Sequence, residues 1–180
     1  MRDNTLSAMP SPAPAGDETA AAVPSQFLTF YLGQELFGLS ILGIKEIIEY
    51  RAPTPVPSMP ACVRGVINLR GAVVPVMDLQ LRLGRSAGGV TRRSCIVIVA
   101  LEQEHGAQAI GVLVDAVSEV LDIPLEQIEP APSFGAGIRR ELLHGMGKLG
   151  ERFVILLDRT QMLRVDEIAA MAPHEQAVAA

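Results

Sequence analysis

Three aspartates, Asp78, Asp115 and Asp158, each close a short aliphatic run, at residues 73–77, 112–114 and 154–157. Carboxylates at strand ends can converge as general acids and bases or as magnesium ligands, the arrangement a small Asp-dependent hydrolase needs. Such an enzyme requires all three in one pocket. The alternative is that each caps a turn or short helix, since Asp78 precedes Leu-Gln-Leu-Arg-Leu and Asp158 precedes Arg-Thr-Gln-Met-Leu. An oxygen placed there satisfies a free helix N–H, worth about 1 kcal/mol. No Asp is followed by Thr or Ser and then Gly, which excludes the aspartic-protease pattern. The histidines His105, His144 and His174 have no Ser or Cys partner in an elbow such as GxSxG. There is no GxxxxGK[ST], and Gly145-x-Gly147 and Gly135-x-Gly137 are too short and poorly placed for phosphate loops. Cys62 and Cys95 lie in apolar surroundings outside any CxxC or His-rich context, so reduced core thiols are expected. No catalytic residue, metal site or cofactor is expected, and a binding role is the better default.

The run Val63 to Leu79 (VRGVINLRGAVVPVMDL) differs in kind. Asn68 to Gly71 reads as a turn, with Gly71 a candidate for positive φ and Arg70 pointing outward. Aliphatics on both sides would anchor it, so the arginine stands on a rigid mount. It can make directional hydrogen bonds to a partner's oxygens, or pair with a neighbour such as Glu46. Spacing alone leaves both open.

The elements that must hold this turn are short. Nearly half of the 180 residues are apolar, yet only seven are aromatic and none is Trp, so Val, Ile and Leu must build the core. That suits strands packed on both faces. Strands are expected over residues 27–32, 36–39, 72–77, 95–101, 107–114 and 152–157, with Gly33 and Gly106 at hairpin turns. No helical pattern exceeds about ten residues, which argues against a βαβ fold. Residues 1–25 are rich in Pro, Ala and Ser and read as a disordered tail; residues 166–180 read as a short C-terminal helix and tail. Residues 84–94 read as an exposed loop whose arginines, Arg85, Arg92 and Arg93, form a solvated surface. The net charge of −5 argues against nucleic acid or an anionic membrane surface as the main partner. No run approaches the roughly 18 apolar residues of a membrane span, so a cytoplasmic protein without direct membrane insertion is expected.

The chain also repeats itself. Residues 38–49 (GLSILGIKEIIE) match 111–122 (GVLVDAVSEVLD) position for position. Residues 65–78 and 145–158 keep Gly, Leu and Asp at the same spacing. Two copies of one supersecondary unit, each too small to close a core alone, predict two small β-barrels sharing an aliphatic seam.

The runs RGVINLRGAVVPVMDL, FLTFYLGQELFGLSILGIKEIIEY and GVLVDAVSEVLDI, continued by QIEPAP and RFVILLDRTQML, resemble the CheW family of chemotaxis coupling proteins over residues 26–165. The resemblance implies an all-β fold, two five-stranded SH3-like barrel subdomains around a shared hydrophobic core, with short helices and a C-terminal helix. It implies a non-catalytic, cofactor-free adaptor at membrane-associated receptor arrays. Its partners would be the cytoplasmic tip of methyl-accepting chemotaxis receptors and the regulatory domain of a CheA-type histidine kinase. Carried over by position, Ile44, Glu46, Ile47, Asn68 and Arg70 would face the receptor. Arg64 and Gly65 would face the kinase; Arg64 stands where some relatives have Lys, which keeps the charge but changes its geometry. Ile44 and Ile47 could equally be plain core, and Val117 reads first as core. A CheW-like coupler of a sister pathway, such as type IV pilus twitching, has the same signature.

Overall fold

The computed structural model describes residues 25–104, 106–132 and 138–164. The expected N-terminal tail (its last residue apart), the whole of the expected C-terminal helix and tail, His105, His174, Gly135 and Gly137 lie outside the described residues.

Among the described residues, eleven strands and two one-turn α-helices run in the order β1 (Gln26–Leu32), β2 (Glu35–Ser40), β3 (Ile44–Glu49), β4 (Val63–Leu69), β5 (Ala72–Asp78), α1 (Leu79–Arg82), β6 (Cys95–Gln103), β7 (Gly106–Val114), β8 (Ala116–Asp122), β9 (Ile128–Glu129), β10 (Leu143–Leu149), β11 (Arg152–Leu157) and α2 (Arg159–Met162). The six expected strands are present with ends within two residues. Gly33 and Gly106 have φ of 62° and 120°, as their hairpin turns require.

The strands form two sheets, ordered β8-β1-β2-β11-β10-β9 and β3-β6-β7-β5-β4. The repeat in the sequence explains both orders. In the first sheet, β1 and β2 from the first repeat sit between β8 and β11 from the second. In the other sheet, β6 and β7 from the second repeat sit between β3 and β5 from the first. Each repeat therefore lends one hairpin to the other's barrel, and neither barrel can close without both. The exchanged hairpin joins its host through a parallel pair, β2 with β11 and β7 with β5. At that joint Gly38 faces Leu156, and Gly111 faces Val76. A Cβ on either glycine would fall 2.7 Å from a neighbouring methyl, of Leu156 or of Ile96. Gly38 is thus a steric requirement of strand exchange, whereas Gly111 is crowded by Ile96 within its own hairpin.

Three apolar clusters follow. The central one draws Leu28, Phe30, Phe37 and Leu39 from one sheet and Val97, Val99, Val112 and Val114 from the other. Separate clusters fill each barrel, one around Val74, Val76, Ile96 and Ile98, the other around Phe27, Ile123, Val154 and Leu156. Strands such as β1 and β6 bury both faces, which is why their apolar runs are continuous. The first sheet has a sixth strand, the two-residue β9; its counterpart in the other barrel is a single bridge from Thr54 to Val66.

Candidate functional site

The loop between β4 and β5 has two residues, because Leu69 pairs with Ala72. Arg70 and Gly71 have φ of 50° and 85°. Positive φ at both positions is the signature of a type I′ turn, whose twist matches that of the strands. Gly71 fits without strain, whereas Arg70 is one of two non-glycine residues with positive φ among those described. Side chains stitch the turn in place. Asn68 Oδ1 accepts from the Gly71 N–H at 2.8 Å, and Arg51 Nη1 donates to the Asn68 carbonyl at 3.2 Å.

Arg70 reaches across to β3 and donates from Nη1 and Nη2 to the two carboxylate oxygens of Glu46, at 2.6 and 2.7 Å. The Arg70 side chain is 75% exposed and that of Glu46 26%. The hydrogen bond from Arg70 holds the Glu46 carboxyl below its ordinary range, against an opposing effect of desolvation and with help from the charges of Arg70 and Arg51. The same bond raises the proton affinity of Arg70. The arginine is therefore both paired and outward, so the two possibilities left open by spacing are compatible.

β3 carries a bulge between Ile44 and Glu46. Ile44 pairs with Val99 and Ile47 with Val97, both central-core residues, so Ile44 and Ile47 share a face despite their odd spacing. Ile44 packs against that core, as does Val117, whereas Ile47 is 43% exposed. Glu46 pairs with Ile98 and lies on the opposite face. Glu46 and Arg70 thus form one hydrogen-bonded pair beside a turn that Asn68 closes and Arg51, which sequence reasoning missed, ties down. Ile47 presents an apolar surface on the other side of the same strand.

Arg64 and Gly65 lie at the far end of β4, about 20 Å away at 3.3 Å per residue. Arg64 donates from Nε and Nη2 to Asp78 Oδ2, at 3.0 and 2.9 Å. Gly65 has φ of 141°, and a Cβ there would strike the Thr54 carbonyl oxygen. Its glycine therefore has a backbone reason whatever it faces.

The three strand-end aspartates act as caps and ties. Asp78 Oδ1 accepts from the N–H groups of Gln80 and Leu81 at the start of α1. Asp158 accepts from Gln161 N–H in α2, while Asp115 accepts from Gly33 N–H at 2.6 Å and Gln80 Nε2 at 3.2 Å. Asp115 lines an open groove of about 770 Å³ with Tyr31, Gly33, Arg92 and Arg93. Asp158 lines a different one of about 300 Å³ with Phe27 and His144, and the buried Asp78 lines neither. The hydrolase expectation needed one shared pocket, so it is overturned. Among the described residues no group of three or more His, Cys, Asp or Glu could hold a metal ion. Both cysteines are free; burial pushes the Cys62 thiol upward.

A family model described as the CheW-like domain matches residues 26–167. The chain belongs to the CheW family. It is 40% identical over 147 residues to "Chemotaxis protein CheW" of Klebsiella aerogenes, covering 82% of this chain and 86% of that protein. It is 28% identical over 162 residues to "Protein FrzA" of Myxococcus xanthus, covering 89% and 99%. Among solved structures it resembles scaffolding protein TtCheW from Thermoanaerobacter tengcongensis, with a TM-score of 0.70, 33% identity, and 79% and 90% of the two chains covered. Within this CheW-like domain the Arg70 turn and the Arg64 end are the two rims of a single β-strand. No helix among the described residues is long and apolar enough to cross a membrane.

Proposed function

We propose that this chain is a non-catalytic adaptor that couples methyl-accepting chemotaxis receptors to a CheA-type histidine kinase, working in the cytoplasm at membrane-associated receptor arrays. The observation that carries the reading is the Arg70 turn. An exposed arginine held at positive φ, with Nη1 and Nη2 bonded to Glu46, is a fixed outward cation at a position where glycine would serve the turn's backbone without strain. Sites of this kind cluster where a partner is recognised.

In this reading Ile44, Glu46, Ile47, Asn68 and Arg70 belong to the receptor-facing surface. Ile47 supplies apolar contact, and the Arg70–Glu46 pair sets register at the rim. Arg64 and Gly65 belong to the kinase-facing end. Separation of the two sites along β4 lets one small domain touch both partners, so that modest affinities combine through effective concentration. A conformational signal passes only if the adaptor binds the receptor's states unequally.

Arg70→Glu places a carboxylate opposite Glu46 and should abolish recruitment to receptor arrays while leaving the thermal melt nearly unchanged. Retained recruitment would sink the receptor-facing assignment, and a collapsed melt would make Arg70 structural. A pull-down from the native cell should bring down a methyl-accepting receptor together with a CheA-type kinase. A second reading, a coupler of a sister chemosensory pathway, is consistent with the match to FrzA, which covers 89% of this chain. The identity of the co-purified receptor and kinase separates the two.

A further inference from the structure

The near-symmetry of the two repeats is broken where arginines cross between them. Arg159, the first residue of α2, donates through Nη1 to the Leu42 carbonyl in the β2–β3 turn. Its counterpart in the first repeat is Leu79, which is fully buried and makes no such reach. The turn is shaped to receive the guanidinium. Gly43 has φ of 82°, and a Cβ on it would land on Arg159 Nη1. Glycine is required there for backbone and for space alike. The Gly43 carbonyl also accepts from Ala100 N–H at 2.7 Å, which ties the turn to β6. One residue later β3 begins.

α2 is itself held at both ends. Asp158 caps its start. At its C-terminus the buried Arg82 of α1 donates from Nε to the Met162 carbonyl at 2.8 Å and from Nη2 to the Gln161 carbonyl at 3.2 Å. Moving α2 would strip partners from a buried cation, so α2 is a fixed anchor. Arg159 therefore extends from a rigid helix of the second repeat to the segment that launches β3 of the first. The braced turn holds the Leu42 side chain outward, 54% exposed, two residues before Ile44 and five before Ile47.

We propose that Arg159 is a positioning residue for the partner surface on β3, fixing the β2–β3 turn so that Leu42, Ile44, Glu46 and Ile47 are presented in one geometry. The proposal rests on the receptor-facing reading of β3. It makes the surface composite, since the strand belongs to one repeat and its brace to the other. It also adds Leu42 to the apolar contact.

The test uses the full chain, a receptor cytoplasmic hairpin-tip fragment and a kinase regulatory domain. Arg159→Met keeps the apolar stem and removes the donor. It should weaken receptor-fragment binding about tenfold, the scale of one lost charge-assisted hydrogen bond, while kinase-domain binding and the melt stay at parental values. In the absence of any partner, amide exchange should accelerate at residues 42–46 and nowhere in the central core. Arg159→Lys, which restores one donor, should recover most of the binding. Parental receptor affinity in Arg159→Met, or a uniform fall in both affinities and the melt, would overturn the proposal. If the parental chain binds no receptor fragment, the receptor reading fails. The exchange measurement still decides the bracing role, and unchanged exchange at residues 42–46 refutes it.

Discussion

The two hairpins that close the barrels, β4–β5 and β10–β11, both turn in two residues, but both loop residues have positive φ in the first, Arg70 and Gly71, and only Gly150 does in the second. Leu69 pairs with Ala72, and Leu149 pairs with Arg152. The first loop residue has φ of 50° in Arg70 and 59° in Gly150. One repeat fills a left-handed position with glycine, the residue that adopts it freely; the other fills it with arginine. Around the tips the chemistry diverges as well. Arg70 binds Glu46 with two hydrogen bonds, whereas Glu119, in the matching place, donates its backbone N–H to the Thr29 hydroxyl. Asn68 closes its own turn, while its counterpart Lys148 pairs with Glu129 at 3.6 Å. Both repeats place a left-handed residue at the first loop position. Only one repeat uses the bend to present a cation.

The difference between the repeats is largest in backbone crowding at the other end of the same strands. Gly65 combines positive φ with a Cβ direction blocked by the Thr54 carbonyl oxygen. Gly145 has no left-handed φ, although a Cβ there would lie 2.7 Å from the Glu129 carbonyl oxygen. Gly65→Ala should therefore cost about 3 kcal/mol and Gly145→Ala roughly half of that, measured by denaturant unfolding. Equal costs would mean that close approach alone, and not φ, sets the requirement.

The exchange at the turn tip comes next in size. Arg70→Gly gives the first repeat the tip residue of the second. The melt should stay within about 3 °C of the parent, because relief of strain offsets the lost exposed pair and the added freedom of the unfolded chain. Receptor-fragment binding should fall about tenfold or more in the same variant. Gly150→Arg should lower the melt by roughly 3–6 °C and change binding little. If Arg70→Gly destabilises as much as Gly150→Arg does, Arg70 is part of the fold, and the contrast between the tips disappears.

Much of this was legible in the chain, for reasons that vary by residue. The six strands with unbroken aliphatic runs are those buried on both faces or against the central core, where apolar periodicity is strongest. β3 and β8 escaped because each lies at a sheet edge and carries a register break that spoils alternation. β4 and β10 escaped because Gly65, Gly145 and Gly147 punctuate them, and glycine in a strand reads as a turn. The Asn68 to Gly71 turn was readable from its residue types. The hairpin exchange between repeats was not, since a repeat announces two similar units without saying which strand joins which barrel. Nor was the role of Arg159, because no spacing rule links α2 to a turn more than a hundred residues earlier. The aspartates illustrate the limit of chemistry read from residue type. Identical strand-end positions turned out to be a cap with an ion pair, a tie between a turn and Gln80, and a cap alone.

The smallest expected effect is the pH dependence that the Arg70–Glu46 pair introduces. The folded-state carboxyl of Glu46 is held below its ordinary value of 4.5, so the folded state prefers it ionised. Its contribution to stability is fully present above that value and is lost as pH falls through the lower, folded-state value. Glu46→Gln keeps the shape and removes the titration. Parent and variant should therefore differ by a constant small amount from about pH 6 to 8 and converge as the pH falls from the ordinary value of 4.5 through the lower, folded-state one. Both groups are at the surface, so the difference should also shrink when salt rises from 0.1 to about 1 M. Denaturant melts of the two proteins across that pH range measure it directly. A gap that persists at the lowest pH at which both proteins stay folded would show that Glu46 holds the turn by hydrogen-bond geometry that a neutral acid or amide cannot share equally. In that case the tips differ by shape more than by charge.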